Sequence, residues 1–469
     1  MTQENFWLLV LKQSKQQLKK KWNCSVQWAK LNNQKSKADR CPPFLQYFSD
    51  IIRIIGKGGM TMKKVISLLL CICICLHISA CSAGGNSQQL SKPAEPAEKL
   101  SFSQVEDLST NVMNFSAEIF SRTAGESNSL ISPVSLLYAL AMTANGADGK
   151  TLAEFEKLTG TDMENLNRYL AAFSTNMPQS AKTKLDMANA IWFRDHGFTA
   201  NEDFLNKNKN YYGAGVYCAP FDDSTVKDIN NFAKEHTDGQ IDKILENIPA
   251  GTVMYLLNAL SFDGKWEEEY KKSQIHERTF TAYSGAHQTV KMMYSQENRY
   301  IEDENTIGFT KDYKGGKYRF VALLPDENTD IVDYVKNLTG EKLTRLLSTQ
   351  SCTVEAGIPQ FDAEYEAEMK DILTAAGLGS FFDPATADFT KLGSTQYNLY
   401  VSSVIHKTVI SLDDKGTKAA AITLVSQSEG AAAPPDDLKV VILDRPFVYM
   451  IVESSTNIPV FMGTVMTTE

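Results

Sequence analysis

Cysteine is scarce outside the first 81 residues, and this scarcity excludes a fold that is built on disulfides. Of the 8 cysteines, only Cys218 and Cys352 lie beyond the apolar run that ends at Cys81. Two cysteines in so long a region do not form a disulfide framework. The sequence leaves open whether these two residues pair, and two buried thiols are the simpler expectation.

Positive charge is also in short supply. The formal net charge is -9, and the basic residues that do cluster lie near the N-terminus. Contacts to phosphates need clustered lysine and arginine, so we expect no nucleic-acid partner. The hydrophobic share of 43% is ordinary for a globular protein and is sufficient for a large core.

Motifs for catalysis and for metal binding are missing as well. The chain has neither a G-x-S-x-G elbow nor an H-E-x-x-H helix. The segment 145–151, NGADGKT, resembles half a phosphate loop, but Ala144 stands where that loop needs glycine, which favours a turn between helices. The histidines of the folded region lack the spacing of metal ligands: His196, His236, His276, His287 and His406. We therefore expect that the protein binds no metal and no cofactor and is not an enzyme. A catalytic triad assembled from distant residues would, however, leave no local motif in the sequence.

Residues 62–81 have the features of a bacterial lipoprotein signal peptide. Lys63 and Lys64 precede a short apolar run that ends in Ser79-Ala80-Cys81. The ending resembles a lipobox, which implies lipidation of Cys81 and a secreted, membrane-anchored protein at the cell surface or facing the periplasm. An ordinary secretory signal with an incidental cysteine is the alternative.

The remaining chain divides into three parts. Signal peptides act from the N-terminus, so we expect translation to start at Met62 and residues 1–61 to be a mis-assigned, unfolded leader. Residues 82–100 are rich in Gly, Ser, Pro and Glu, which predicts a flexible tether. Residues 101–469 contain no repeat and no second linker, and we expect one large domain.

Within that domain, helical patterns come first and strand patterns follow. Ser132-Pro133 predicts a helix start, with a capping residue followed by a first-turn proline, and Asn145-Gly146 predicts its end. Apolar runs at 184–193, 252–266, 318–325 and 447–453 are typical of strands. This order of elements indicates the α+β class.

The segment 413–437 combines two compositions. Its first half alternates small and β-compatible side chains, and the segment contains no proline before Pro434. The first half can therefore form a strand. After Val425 no large apolar side chain occurs until Leu438, as expected of a segment that is exposed to solvent. Taken alone, this pattern fits an insertable strand and an ordinary surface loop equally well.

Seven short motifs, in order along the chain, resemble those of the serpins, a family of serine-protease inhibitors. The resemblance implies three β-sheets with about nine helices and an exposed reactive-centre loop. It also implies a suicide substrate, in which a serine protease is trapped as an acyl-enzyme when the cut loop inserts into the central sheet. The motifs are NSLISPVSLLYALAMTANGA, INNFAKEHTDGQI, LLNALSFDGKW, VKMM, VIHKTVISLDDKGTKAAA, DRPFVYMI and PVFMGTV.

The resemblance also assigns roles to particular residues. Trp266 is expected at the breach, where the loop first enters the sheet. The expected shutter residues, under the centre of the sheet, are Ser132, Ser135, Asn258 and His406. The expected hinge residues are Asp414, Gly416, Thr417, Lys418, Ala419, Ala420 and Ala421. Two residues depart from the family pattern: Lys418 replaces an acid, and Ile422 is larger than the usual residue.

Counting from Asp414 places the reactive bond between Gly430 and Ala431, within a window that runs from Glu429 through Ala432 to Ala433. Counting back from the C-terminal motif moves the bond toward Pro435, so the register stays open. The window has no Arg or Lys, which favours elastase-like or subtilisin-like targets over trypsin-like ones. Glu429 leaves a glutamate-specific target open.

Three other functions remain as alternatives. The first is a non-inhibitory, binding lipoprotein with the serpin fold, the second a surface lipoprotein that binds a ligand, and the third a hydrolase. We expect the protein to be a monomer whose partners are a serine protease and a membrane.

Overall fold

Ten α-helices occur in the residues that the structure describes, close to the expected nine. The structure is a computed structural model, and it describes residues 87–92, 95–177, 182–195, 197–348, 350–417 and 438–469. The helices are α1 Ser109–Ser121, α2 Pro133–Ala144, α3 Gly149–Thr159, α4 Met163–Asn176, α5 Glu202–Lys207, α6 Asp223–His236, α7 Ile331–Lys336, α8 Gly340–Leu347, α9 Lys370–Ala375 and α10 Gly379–Phe382.

The strands form three sheets, which confirms the α+β serpin fold class. They are β1 Gln88–Ser91, β2 Ser129–Ile131, β3 Thr183–Arg194, β4 Thr199–Ala200, β5 Gly215–Ala219, β6 Met254–Lys265, β7 Ile275–Thr281, β8 His287–Asp303, β9 Thr306–Asp312, β10 Tyr318–Pro325, β11 Gln350–Pro359, β12 Phe361–Glu368, β13 Gly393–Ser394, β14 Ser403–Leu412, β15 Gly416–Thr417, β16 Lys439–Ile442, β17 Phe447–Glu453 and β18 Pro459–Val465. The four apolar runs that the sequence predicts as strands correspond to β3, β6, β10 and β17.

The central sheet has seven strands in the order β1-β5-β3-β6-β15-β14-β12. A second sheet of nine strands has the order β16-β11-β8-β9-β10-β17-β18-β2, with β7 paired to β8, and β4 pairs with β13 in the third. The main core is packed with apolar side chains from the second sheet, the first helices and one face of the central sheet. A smaller core lies between β3, β6 and the amphipathic helix α6.

Helix α2 begins and ends where the sequence predicts. The Ser132 side chain accepts a hydrogen bond from the backbone N–H of Ser135, Pro133 occupies the first turn, and Asn145 is the C-terminal cap. Every residue of α2 is buried, and the helix packs against β6 and β18. Residues 145–148 connect α2 to α3, as expected of a turn between helices, and residues 149–151 already form the first turn of α3.

The predicted tether 82–100 is wrong in part, because Gln88–Ser91 forms strand β1 on the edge of the central sheet. Gln88 lies opposite Cys218 and Gln89 opposite Tyr217 in an antiparallel pairing with β5. An edge strand exposes unpaired backbone groups, and β1 satisfies those of β5. Composition alone could not predict this pairing, because the partner lies more than a hundred residues away.

Some predictions concern residues outside those that the structure describes. These are the leader 1–61, the signal 62–81 with Cys81, the hinge residues Lys418–Ala421 and the window Glu429–Ala433. Among the described residues, no helix is both long and apolar enough to cross a membrane. Cys218 is buried, Cys352 is half-buried, and no disulfide joins them.

Candidate functional site in the central sheet

The seam between β6 and β14 is open at one end and closed along the rest. From Ser403 opposite Tyr255 to Val409 opposite Ser261, the two strands pair directly and in parallel. Beyond that point β15 lies between them, with Thr417 opposite both Gly264 of β6 and Leu412 of β14. The seam therefore already holds the first residues of an additional strand.

The hinge, defined here as Asp413–Thr417, enters the seam through a tight turn. One carboxylate oxygen of Asp413 accepts hydrogen bonds from the N–H groups of Lys415, at 2.8 Å, and Gly416, at 3.1 Å. Burial raises the pKa of the Asp413 carboxyl above its ordinary value. This turn directs the chain from the end of β14 back into the sheet as β15.

Gly416 is required by a close approach between two backbones. A Cβ atom at this position would lie 2.0 Å from the carbonyl oxygen of Gly264. A Cβ atom at Gly264 would in turn lie 2.6 Å from the ring of Phe262. Glycine at position 416 thus lets β15 come close enough to pair with β6, and glycine at position 264 leaves room for the Phe262 ring.

Trp266 and Tyr270 hold the hinge through its backbone carbonyls. Trp266 donates from its backbone N–H to the carbonyl of Lys415, at 2.9 Å, and from its indole Nε1 to the carbonyl of Asp413, also at 2.9 Å. Tyr270 donates from its backbone N–H to the carbonyl of Asp414, at 2.8 Å. Three successive hinge carbonyls are therefore fixed by one short segment that follows β6.

Tyr313 completes this group. Its ring stacks on Trp266, with the ring centroids 4.6 Å apart and an interplanar angle of 12°. Its hydroxyl lies 2.6 Å from Oγ1 of Thr417, and both side chains are fully buried. Burial raises the pKa of Tyr313 well above its ordinary value, so the phenol stays protonated. We call Trp266, Tyr270 and Tyr313 the hinge anchor.

The structure thus places Trp266 directly against the hinge, where the serpin resemblance expects it. Of the expected hinge residues, Asp414, Gly416 and Thr417 lie within the described chain and occupy the entry to the seam. Their roles in an inhibitory reaction remain predictions, because geometry alone does not test them.

Three of the four expected shutter residues also come together, next to the closed part of the seam. The backbone N–H of Ser132 donates to Nε2 of His406 at 3.0 Å, and the N–H of Ser135 donates to Oγ of Ser132 at 3.2 Å. All three residues are buried. Asn258 is the direct partner of His406 in the ladder between β6 and β14. The group therefore ties the seam to the start of α2.

His406 is neutral at physiological pH. Burial lowers the pKa of His406 from 6.5 to about 4, so the ring is neutral, and the hydrogen bond from Ser132 identifies Nε2 as the nitrogen without a proton. The unfolded chain then binds a proton more tightly than the native state does. The contribution of neutral His406 to the free energy of unfolding is fully present above about pH 6.5. Up to about 3 kcal/mol of it is lost as the pH falls to about 4.

Two contributors to the site were missed at the level of sequence. Thr408 donates from Oγ1 to the carbonyl of Leu130 at 2.6 Å, on the same face of β14 as His406. The two-residue alternation of a strand could have indicated Thr408. Tyr313 had no such signal, since it lies 104 residues from Thr417 along the chain.

Other potential sites lie elsewhere or are not found. Among the described residues, no group of three His, Cys, Asp or Glu side chains is placed to hold a metal ion. A groove of about 690 Å³ crosses the second sheet and is lined in part by Arg278, Tyr294, Glu355 and Val440. None of the residues expected to act in the seam lines it.

Comparison with known proteins agrees with this geometry. The family model described as "Serpin (serine protease inhibitor)" matches residues 110–468. The native state of the thermophilic serpin tengpin is 43% identical, with a TM-score of 0.76 over 81% of this chain and 100% of that one. The latent state of tengpin is 44% identical, with a TM-score of 0.69 over 78% of this chain and 99% of that one.

A leukocyte elastase inhibitor of Equus caballus is 29% identical over 381 residues, which cover 76% of this chain and 99% of the relative. The family match spans most of the chain, and proteins of this family are generally inhibitors of proteases. The fold, the order of the strands and these matches lead to one conclusion: the chain belongs to the serpin family.

Proposed function

We propose that the protein is a suicide-substrate inhibitor of serine proteases and that it traps the acyl-enzyme by inserting its cleaved loop into the central sheet. The observation that carries this proposal is the half-open seam. Strand β15 is already seated between β6 and β14 at one end, while the two strands still pair directly along the rest. An inserting strand would have its first residues in place, and its further advance would separate β14 from β6.

The register of β15 predicts how far insertion would run. It is antiparallel to β6, with Thr417 opposite Gly264. Continuing this register one residue at a time would bring Gln427 opposite Met254, where β6 begins. Residues 418–427 contain no proline, so each would bring a backbone donor. A cut within Glu429–Ala433 would release this whole segment.

The energy of insertion is large enough to drive trapping. About ten new backbone hydrogen bonds at about 1 kcal/mol each, before any packing, would release about 10 kcal/mol. This is comparable to the total stability of an ordinary domain. The uncut protein would therefore persist because a barrier separates it from the inserted form.

The covalent step would follow ordinary serine-protease chemistry. The protease serine oxygen attacks the carbonyl carbon of Gly430, the bond to the nitrogen of Ala431 breaks, and that nitrogen leaves as an amine after it gains the serine proton through the protease histidine. The ester that remains joins Gly430 to the protease. Insertion would carry this ester away before water can hydrolyse it.

Elastase-like or subtilisin-like proteases are the proposed targets, because the window offers only Glu429 and small residues. The name of the leukocyte elastase inhibitor gives independent support for this class. The greater similarity to the native state of tengpin than to its latent state supports a conformation that precedes insertion.

We also propose that a lipid on Cys81 anchors the protein to a membrane, exposed at the cell surface or facing the periplasm. Strand β1 makes the connection shorter than composition suggests. The chain from Cys81 to Ser87 can span only about 20 Å even when fully extended. The domain would therefore work close to the membrane. Replacing Cys81 by Ala should move the protein from the membrane fraction to the soluble fraction, and unchanged fractionation would refute the anchor.

The inhibitory function is tested by titrating pancreatic elastase, subtilisin, a glutamate-specific protease and trypsin with the purified protein. With elastase or subtilisin we expect a complex that survives denaturing electrophoresis. We also expect a released C-terminal fragment whose mass corresponds to a chain that starts at Ala431. Trypsin should form no complex. The cleaved inhibitor should melt at a higher temperature than the intact one. Cleavage without complex and without a rise in melting temperature would instead support the non-inhibitory alternative.

A further inference from the structure

A buried ion pair lies directly against the hinge anchor, on the two strands behind it. Nζ of Lys311, on β9, lies 2.8 Å from Oε1 of Glu297, on β8. The two side chains are only 4% and 12% exposed. Nothing in the half-open seam itself accounts for this pair.

The ammonium group of Lys311 faces two rings of the hinge anchor. Nζ lies 4.5 Å from the ring centroid of Tyr270 and 5.5 Å from that of Trp266. Both rings are buried, which is the setting in which cation–π contacts are strongest. Lys311 therefore interacts at once with both residues that donate hydrogen bonds to the hinge carbonyls.

Glu297 is fixed in turn by a further contact. Oγ of Ser295 donates to Oε1 of Glu297 at 2.7 Å and lies 3.2 Å from the hydroxyl of Tyr270. The carboxylate is thus held between Ser295 and Lys311, and the serine connects it back to the anchor. The charges and the two rings form one continuous contact network.

A buried ion pair is seldom an efficient source of stability. Removing two charges from water costs several kcal/mol per ion, and apolar side chains of similar size often serve as well or better. Lys311 lies opposite Phe320 in the ladder between β9 and β10, where an apolar residue would pack without that cost. The position of the Lys311 ammonium group over the hinge anchor instead favours a role in holding the rings of Trp266 and Tyr270 in place.

We propose that Lys311, held by Glu297, is a positioning residue that keeps Trp266 and Tyr270 donating to the hinge and so keeps β15 in register with β6. Without the cation, the two rings lose a shared contact, and the hydrogen bonds to Asp413 and Asp414 open more often. This claim about the hinge stands on the described geometry alone. Its consequence for inhibition rests on the proposed function.

The consequence for inhibition is a change in how the acyl-enzyme divides between the trapped complex and hydrolysis. After acylation, insertion competes with hydrolysis of the ester, and the competition depends on how quickly the strand advances in the correct register. A loosened hinge would slow insertion and leave more inhibitor cleaved without a complex. The rate at which the protease first attacks the loop would not change.

The test compares Lys311→Met with the double variant Lys311→Met/Glu297→Gln, which leaves no unpaired carboxylate if the single variant fails to fold. The matched control is Lys342→Met. Lys342, on α8, also pairs with a carboxylate, Asp303 at 3.8 Å, and also faces a ring, that of Tyr334 at 4.5 Å. It thus loses the same kinds of contact without touching the hinge anchor.

The first readout is hydrogen exchange at the backbone amides of Trp266 and Tyr270, which needs no protease. We expect exchange about thirtyfold faster in both Lys311 variants, the factor that corresponds to a desolvated cation–π contact. The control should exchange like the parent. Unchanged exchange in the Lys311 variants would overturn the proposal.

The second readout is the stoichiometry of inhibition with elastase. We expect the moles of inhibitor used per mole of protease to rise severalfold in the Lys311 variants and not in the control. An equal rise in the control would show general destabilisation and would overturn the positioning role. If the parent forms no complex with any protease, the proposed function fails, whereas the exchange result still decides the role of Lys311.

Discussion

Under the proposed function, replacing Thr417 by Arg should turn the inhibitor into a substrate of its target protease. Thr417 is fully buried in β15, and its hydroxyl contacts that of Tyr313. An arginine here would bring a guanidinium into the closed interior beside the ring of Tyr313. The hinge would have to leave the seam for the charge to reach water.

The magnitude follows from the burial. Keeping the guanidinium inside would cost at least about 3 kcal/mol, since the penalty for a buried ion is several kcal/mol even after relaxation. Losing the contact with Tyr313 adds about 1 kcal/mol. Together these would lower the population of the seated hinge by about a thousandfold, because each 1.4 kcal/mol corresponds to a factor of ten.

The assay is titration of elastase followed by denaturing electrophoresis. The variant should be cut at the same bond and at a similar rate, because the window Glu429–Ala433 is unchanged, but it should form almost no stable complex. Thr417→Ser is the control, since it keeps the hydroxyl and adds no charge, and it should inhibit like the parent. A Thr417→Arg protein that forms the complex at the parent's stoichiometry would refute the view that insertion starts from the seated hinge.

Three further predictions concern the same seam. Between about pH 6.5 and about pH 4 the parent should lose about 3 kcal/mol of native stability in urea unfolding, and His406→Gln should remove most of this loss, because the group with the lowered pKa is gone. The surface substitution His287→Gln should retain the loss. Gly416→Ala should destabilise the native state by about 1–3 kcal/mol and raise the stoichiometry of inhibition, since its Cβ would lie 2.0 Å from the carbonyl oxygen of Gly264. Tyr313→Phe should cost about 1 kcal/mol of native stability in thermal unfolding by removing the hydroxyl contact with the hinge while it keeps the ring stack.

Each of these expectations has an outcome that contradicts it. An unchanged pH profile in His406→Gln would mean that another group causes the acid sensitivity. Alanine at Gly416 would be uninformative without a control, so it is compared with Gly379→Ala, where an added Cβ meets no atom within 4 Å. Equal effects at the two glycines would exclude the clash as the cause, and a Tyr313→Phe protein as stable as the parent would show that the hydroxyl contact contributes nothing.

Local signals in the sequence identified helix α2 and the strands β3, β6, β10 and β17. Ser132-Pro133 marked the start of α2 because a capping hydroxyl and a first-turn proline act within one turn of helix. The apolar run at 318–325 indicated β10 because short runs rich in β-branched and aromatic residues are typical of strands. The three-sheet arrangement came from the resemblance to serpins, since ordered motifs carry information that periodicity does not.

The composition of residues 82–100 led to a wrong prediction at Gln88–Ser91, where pairing with a distant strand decides the local structure. The polar residues of Gln88–Ser91 are typical of a tether, yet they form β1 because β5 offers an open edge. A short segment without apolar periodicity carries no sign of the edge that will bind it.

The sequence by itself determined that a proline-free segment of small residues follows Asp413, and that Trp266, His406 and Gly416 stand in the order typical of a serpin. Only the tertiary structure decided that β15 is already seated, that Tyr313 reaches Thr417, and that Lys311 and Glu297 lie against the anchor. The physical reason is the distance along the chain. Strand and cap signals act between neighbours, whereas these contacts join residues brought together only when β6, β9 and β14 assemble into one core.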